Sequence, residues 1–505
     1  MSIIVRIDWG YKEQTVEAEH GELLSDILRG NGRFDLPCGG RSVCRRCKVR
    51  AEGALSPLTD IELETFSHDE IKSGLRLACL TRAEGDARLY PVQTADIAIM
   101  DKGAASDFSA DPIFTEYGVA ADIGTTTVCV RLYGSAGMIG SAAEKNPQTI
   151  YGADVISRIE HSLGGGGEEL ALAVRNGLSE MTARLAKEAG INTSRIDAAV
   201  LAGNTTMLYL LAGNSPKALS RAPFAADRLF GEYINAADLI HGLNERAFAY
   251  LPRCMSAFVG ADISMALLAS GMCGRPETAL LTDVGTNAEI ALWHKGKLYV
   301  CSTAAGPAFE GSGLSCGVYG ISGAVDHIWL ENGKVKFSTI NNKPPVGICG
   351  SGIADALSVM VKSEAIDETG AFGSGDGFFI NENVYVNQKD VRKLQLSKAA
   401  VRAGMETLLQ IAGVKWLDVS ALNIAGGFGS FLDLNSAADI GLIPREMLPR
   451  TTVLGNASLA GASMLLQDRQ LIEKSQMLAQ RAETVRLDSN PVFSDFYVDW
   501  MMFEV

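Results

Sequence analysis

The chain opens on an alternating pattern. Ile3, Val5 and Ile7 are separated by polar or charged neighbours, the period-two signature of a half-buried strand, and a turn at Gly10 leads to a second strand near Gln14–Ala18. In GELLSDILRG the period lengthens: Leu23, Leu24, Ile27 and Leu28 share one helical face, and Gly30 ends it. Hairpin, helix and then a Cys-rich loop predict a small α+β unit of β-grasp type over residues 1–95. After Val92 the stretch TADIAIMDKGAASDFSADPIFTEYG shows no sustained period, which predicts a flexible linker over 96–116. Beyond it, apolar strand-like runs alternate with helical stretches. The longest helix is predicted near 391–412, with Val391, Leu394, Val401, Met405 and Leu408 on one core-facing side.

Composition narrows the function classes. Apolar residues make up 47% of 505 residues and charged residues 21%, so globular cores are available. Lys plus Arg is 45 against 59 Asp plus Glu, a net charge of −14. Such a chain repels phosphate backbones and anionic headgroups, so neither nucleic acid nor a membrane is expected as a partner. No uncharged apolar run approaches the roughly 18–20 residues of a membrane span. Arg6 and Asp8 interrupt what would be an export-signal core, and a cytoplasmic location is expected.

The ten cysteines are unevenly placed. Cys129, Cys254, Cys273, Cys301, Cys316 and Cys349 are scattered and read as packing residues. Cys38, Cys44 and Cys47 form a C-x5-C-x2-C run in LPCGGRSVCRRC, and Cys79 follows in LRLACLTR. Four thiolates in a three-plus-one pattern suit a [2Fe–2S] cluster, because a folded loop wraps three sides while a distant strand closes the fourth. Gly39 and Gly40 let the backbone pass close to the sulfurs. Structural zinc and free thiols are the competing readings, although zinc ribbons usually present two C-x2-C knuckles and only one is present. The spacing resembles that of the adrenodoxin-like [2Fe–2S] ferredoxins, which implies one-electron transfer. Arg41, Arg45 and Arg46 crowd this loop, either as a solvated face or to offset cluster charge or dock an acidic partner.

A second constellation is duplicated. VAADIGTTTVCVRLY predicts a strand, a tight turn through Asp122, Gly124, Thr125, Thr126 and Thr127, and a returning strand. Hydroxyls and N–H groups in such a turn cradle phosphate, with Asp122 placed to hold Mg²⁺ through water. The pattern recurs in LLTDVGTNAEIALW with Asp283, Gly285, Thr286 and Asn287. The half-domain ends also correspond: AAVLAGNTTM, carrying Gly203 and Asn204, and ALNIAGGFGS, carrying Gly426 and Gly427. The paired turns and late AGGFG loop resemble the superfamily of actin, sugar kinases and heat-shock chaperone ATPases. That resemblance implies two RNase H-like α/β lobes, expected over 117–275 and 276–505, closing on Mg-ATP. It implies that Thr125, Thr126, Gly285, Thr286 and Asn287 bracket phosphates, that Asp122 and Asp283 hold the metal, and that Gly426 and Gly427 pass under the adenosine. Three further stretches are dense in small and polar residues: NPQTIYGADVISRI (146–159), AGPAFEGSGLSCG (305–317) and GICGSGIADAL (347–357). In the last two, Glu310 is a candidate to orient the attacking water, and Gly350 and Ser351 to border the nucleotide.

Taken together, CGGRSVCRRC, RLACLTR, DIGTTTV, NPQTIYGAD, AGNTTM, AGPAFEG, GICGSG and AGGFGSFLDL resemble one family over nearly the whole chain: the reductive activators of corrinoid proteins. Membership implies ATP-dependent reduction of an inactive Co(II) corrinoid protein of a methyltransferase system to Co(I), with a reduced ferredoxin or flavodoxin-type protein as donor and a homodimer as a plausible assembly. Longer members carry an extra small domain before the ATPase, where this chain has only a short linker. The shorter form is similar to activators of systems that demethylate methoxylated aromatics or methylamines. An ATP-driven electron donor to another metalloenzyme, a redox-sensing small-molecule kinase and an ATP-switched scaffold are the alternatives.

Overall fold

The computed structural model describes residues 2–8, 13–31, 34, 42, 45, 47–91, 111–428 and 431–503. The alternating N-terminal pattern forms the strand Ser2–Asp8, which pairs antiparallel with Glu13–Glu19 and parallel with Arg82–Pro91. Lys48–Leu55 and Leu75–Leu77 extend the sheet beyond Arg82–Pro91. The helix Leu24–Asn31 buries Leu24, Ile27 and Leu28 against Val5, Ile7 and Leu89, the expected face. A mixed sheet with one helix across it is the β-grasp arrangement.

The remainder is built twice. In the first half, Tyr117–Ile123, Thr127–Gly134 and Gly137–Lys145 form an antiparallel meander. Ile196–Gly203 and then Phe248–Leu251 add in parallel on its inner edge. In the second half, Ala279–Val284, Ala288–His294 and Lys297–Thr303 form the same meander, and Ala421–Ala425 and Thr451–Gly455 add in parallel in the same order. Matching strand order in both sheets is a topological duplication, and it places the two short turns at equivalent corners. The helix Gln388–Ala412 packs on the second sheet with Val391, Leu394, Val401, Met405 and Leu408 fully buried.

Two helices run between the lobes. Ala261–Ser270 and Ala457–Gln467 lie against each other so closely that a Cβ on Gly461 would stand 2.1 Å from the Met265 carbonyl oxygen. Ala457–Gln467 follows the last parallel strand of the second sheet, yet its Leu459, Leu465 and Leu466 pack with Ala120 and Val200 of the first. Each lobe is thus tied into the other's core. The expected linker overshoots at its C-terminal end. Ile113 and Phe114 are buried in that same cluster, and the Ile113 N–H donates to the Leu466 carbonyl at 3.0 Å. A short apolar pair in a polar stretch is enough to anchor the chain there. Residues 96–110 of the expected tether lie outside the described residues. Among the described residues, no helix is long and apolar enough to cross a membrane.

Candidate nucleotide cleft and cluster site

The two turns face each other across a cleft of about 540 Å³. Each is closed by its own backbone: Gly124 N–H donates to the Thr127 carbonyl at 2.9 Å, and Gly285 N–H to the Asn287 carbonyl at 2.9 Å. Asp122, Gly124, Thr125, Thr126 and Thr127 line the cleft from the first lobe, joined by Asn204, whose amide donates to the Thr125 hydroxyl at 3.1 Å. Asp283, Gly285, Thr286, Asn287, Glu310, Gly350, Ser351, Gly426 and Gly427 line it from the second. Gly203 does not line it. Its place is one of close strand approach, since a Cβ there would meet the Ile123 carbonyl oxygen at 2.7 Å. Gly426 has φ +92°, and a Cβ there would stand 2.4 Å from Asp283 Oδ1, so glycine is required twice over.

Several cleft residues escaped the sequence reading. Ser458 and Asn456 reach from the interlobe helix and its cap to the Asp122 carboxylate, at 2.7 and 3.0 Å. Asp262 sits in the first turn of Ala261–Ser270, and Glu289 lies two positions beyond the second turn. A lone acid at the start of an otherwise apolar helix was the available signal for Asp262. Phe309 and Phe428 stack at 4.8 Å beside Gly350, where a Cβ would collide with the Phe309 carbonyl oxygen at 2.0 Å. Cys129 and Cys349, read as packing, are buried as expected but also border the cleft.

The electrostatics of the cleft are strained by like charge. Burial, then the neighbouring carboxyls of Asp262, Asp122 and Glu310, push Asp283 up to about 8. Burial and Asp122 push Asp262 up to about 7. Glu289 is raised by burial with Asp262 and Asp283, while burial alone raises Glu310 and Asp122 against the hydrogen bonds that favour their ionised forms. Carboxyls gathered in this way favour a cation that cancels their repulsion. Among the described residues no three His, Cys, Asp or Glu side chains are already drawn together as a metal cage. The cleft therefore offers acidic walls and two N–H and hydroxyl turns, the complement of a polyphosphate arriving with its own cation.

In the N-terminal domain, the Cys47 and Cys79 sulfurs are 3.2 Å apart, far longer than the roughly 2.05 Å of a disulfide, and both residues are buried. The Cys79 N–H points at the Cys47 sulfur at 3.5 Å, and the Ser42 hydroxyl lies 3.5 Å from the Cys79 sulfur. Two adjacent buried thiols, one with an N–H aimed at its sulfur and the other with a hydroxyl beside it, fit an iron–sulfur cluster. Cys38 and Cys44 lie outside the described residues. The segment carrying Cys79 is held by a residue that the sequence reading missed. Glu62, fully buried, accepts from Arg76 Nε at 2.9 Å, from the Leu77 N–H at 3.0 Å and from the Thr81 hydroxyl at 3.0 Å. Of the arginines near the loop, Arg45 is spent within the domain on Glu64, at 2.9 Å; Arg41 and Arg46 lie outside the described residues.

Comparison with known proteins agrees with this two-part organisation. Residues 7–84 match the 2Fe–2S iron–sulfur cluster binding domain, residues 117–275 the RACo middle region, and residues 277–505 the C-terminal ASKHA domain of RACo. A corrinoid activation enzyme, RamQ of Eubacterium limosum, is 29% identical over 592 aligned positions spanning 99% of each chain. That alignment is longer than this chain, so the relative carries inserted segments. The [Co(II) methylated amine-specific corrinoid protein] reductase of Methanosarcina barkeri is 24% identical, with 76% of each chain covered. A solved structure of a reductive activator for corrinoid, iron–sulfur protein superposes with a TM-score of 0.72 at 26% identity, covering 99% of this chain and 98% of that one. Because a cluster-domain match is followed by two consecutive RACo-specific regions that together span residues 117–505 with a single residue between them, the chain belongs to the RACo family of reductive activators of corrinoid proteins.

Proposed function

We propose that this chain performs ATP-dependent reductive activation of a corrinoid protein: one electron, taken from a reduced donor protein, is delivered to a Co(II) centre of the partner, giving Co(I), and Cys47 and Cys79 would hold the one-electron group that relays it. The observation that carries the reading is the pairing, in one chain, of the Cys47–Cys79 thiol site with a cleft where two matched turns meet among six carboxyls. When bound, a [2Fe–2S] cluster supplies one-electron chemistry at about −400 mV for the plant type. Each further 100 mV uphill costs about 2.3 kcal/mol per electron. An allosteric coupling of ~1–3 kcal/mol bridges roughly that interval.

The residues divide the work. Thr125, Thr126, Gly285, Thr286 and Asn287 hold the phosphates, and Gly426 and Gly427 leave room for the adenosine. Asp122, Asp262 and Asp283 accept Mg²⁺ through its waters, which lowers the carboxyls that crowding raises. Glu310, between the Thr126 and Thr286 hydroxyls, orients water for hydrolysis. Cys38 and Cys44 complete the ligand set of Cys47 and Cys79. The partner is a corrinoid protein of a methyltransferase system, such as one that demethylates methoxylated aromatics or methylamines. The electron donor is a reduced ferredoxin or flavodoxin-type protein, the location is cytoplasmic, and the chain forms a homodimer. The test is ATP turnover against the partner's oxidation state. A Co(II) corrinoid protein should stimulate hydrolysis and its methylated form should not. Turnover indifferent to the partner in either state would sink the reading.

A further inference from the structure

Behind the first-lobe turn lies a buried charge with no opposite charge beside it. Arg158, in the helix Val155–His161, is fully buried. Its Nε donates to the Gly152 carbonyl at 2.9 Å, and its Nη1 to Gln148 Oε1 at 3.3 Å and Met207 Sδ at 3.1 Å. Its Nη2 donates to the Thr125 carbonyl. Every one of these acceptors is neutral, and among the described residues no carboxylate forms an ion pair with it. Asp154, the acid that acts on it through space, is occupied capping its own helix through the Ser157 N–H at 2.7 Å. A buried cation without a counter-charge is costly, and burial pushes this guanidinium down to about 9.

What Arg158 grips gives the charge a purpose. The Gly124 carbonyl accepts from Asn146 Nδ2 at 2.8 Å, the Thr125 carbonyl from Arg158, and the Thr126 carbonyl from the Asn146 N–H at 2.8 Å. Three consecutive carbonyls are thereby drawn back onto one segment, residues 146–158. The N–H groups of Thr125 and Thr126, both cleft-lining residues, donate to nothing among the described residues. A turn with its carbonyls sequestered and its N–H groups free is an anion nest. The second-lobe turn is held differently, its Thr286 carbonyl accepting from the neutral Gly306 N–H at 2.8 Å.

We propose that Arg158 is a positioning residue for the nucleotide phosphates: it holds the 124–126 turn with its N–H groups toward the cleft, and phosphate at that turn supplies the negative charge its guanidinium lacks. This rests on the ATP reading above and adds to it a residue outside the cleft wall. Its contribution therefore scales with the number of phosphates and is absent for the nucleoside.

The test is a titration of the full chain and of Arg158→Met with ATP, ADP and adenosine. The substitution should weaken ATP by about ten- to a hundredfold, the range for a hydrogen bond to a charged group, weaken ADP less, and leave adenosine unchanged. Equal losses for all three ligands, or no loss for ATP, would overturn the assignment. Should Arg158→Met not fold, Arg158→Lys answers the same question, since it keeps the charge but cannot reproduce the fork of donors. An ATP-selective loss supports the role, and a loss shared with adenosine or no loss overturns it. Unmodified protein that binds ATP no better than adenosine would overturn the nucleotide reading itself, a result distinct from failure of Arg158 alone.

Discussion

The Thr126 hydroxyl of the first lobe donates to the Glu310 carboxylate of the second at 3.3 Å, although 184 residues separate them. The same Glu310 oxygen accepts from Thr286 at 3.0 Å, so one carboxylate joins both turns. A group in that place feels any change in lobe separation. Glu310→Gln keeps the size and the hydroxyl contacts but loses the ability to take a proton. It should leave ATP binding intact and lower hydrolysis by about 10²-fold or more. Binding and single-turnover hydrolysis measured on the same preparation separate the two effects, and an unchanged hydrolysis rate removes Glu310 from catalysis.

The cluster and the cleft are chemically separate sites. Cys79→Ser should abolish the visible absorbance and the reduced-state paramagnetic signal of the cluster while ATP affinity stays unchanged. Retention of a full iron–sulfur spectrum in Cys79→Ser would remove it from the ligand set.

Glu62 gives the N-terminal domain a defined acid sensitivity. Burial alone would raise its carboxyl, but hydrogen bonds from Arg76, Thr59 and Leu77 outweigh burial and hold it at about 2, against an ordinary 4.5. A depressed folded-state value means stability that is fully present above about pH 4.5 and is lost as pH falls toward 2. The shift corresponds to roughly 3 kcal/mol. Glu62→Gln should cost stability of that order at pH 7 and flatten the acid decline, read as thermal unfolding of the domain or as loss of cluster absorbance against pH. A wild-type profile that declines no more steeply than the variant's below pH 4.5 would show that Glu62 is not the group responsible.

Helix contact between the lobes depends on one missing side chain. Gly461→Ala places a methyl 2.1 Å from the Met265 carbonyl oxygen, and neither backbone can yield without moving a helix. Overpacking of this kind costs about 1–3 kcal/mol. The expected outcome is a lowered melting temperature together with weakened ATP binding, because Asp262 and Ser458 ride on these two helices. An unchanged melting temperature would mean that the interlobe helices are loosely coupled.

What could be read from the sequence was whatever repeats or clusters locally. Both turns, the run of Cys38, Cys44 and Cys47, and the apolar face of Gln388–Ala412 each announce themselves within a short window. What could not be read depends on distant partners. Asn456 and Ser458 meet Asp122 across more than 330 residues, and in sequence they are only a cap and a small residue in an apolar helix. Glu62 looks like any surface acid of a short helix until Arg76, Leu77 and Thr81 close over it. Ile113 and Phe114 fall within the expected linker because two apolar residues set no period, yet they are buried. Arg158 is not singled out by the 146–159 stretch that carries it, and only the fold shows that it is buried behind a turn.

The most direct measurement is optical and anaerobic. The protein is reduced, mixed with a Co(II) corrinoid protein from a methyltransferase system, and the Co(I) absorbance is followed with and without Mg-ATP. The account predicts Co(I) that appears only with ATP and is lost in Cys79→Ser and in Asp283→Ala. Co(I) that forms equally well without ATP, or no Co(I) from protein with an intact [2Fe–2S] spectrum and measurable ATP turnover, would contradict it.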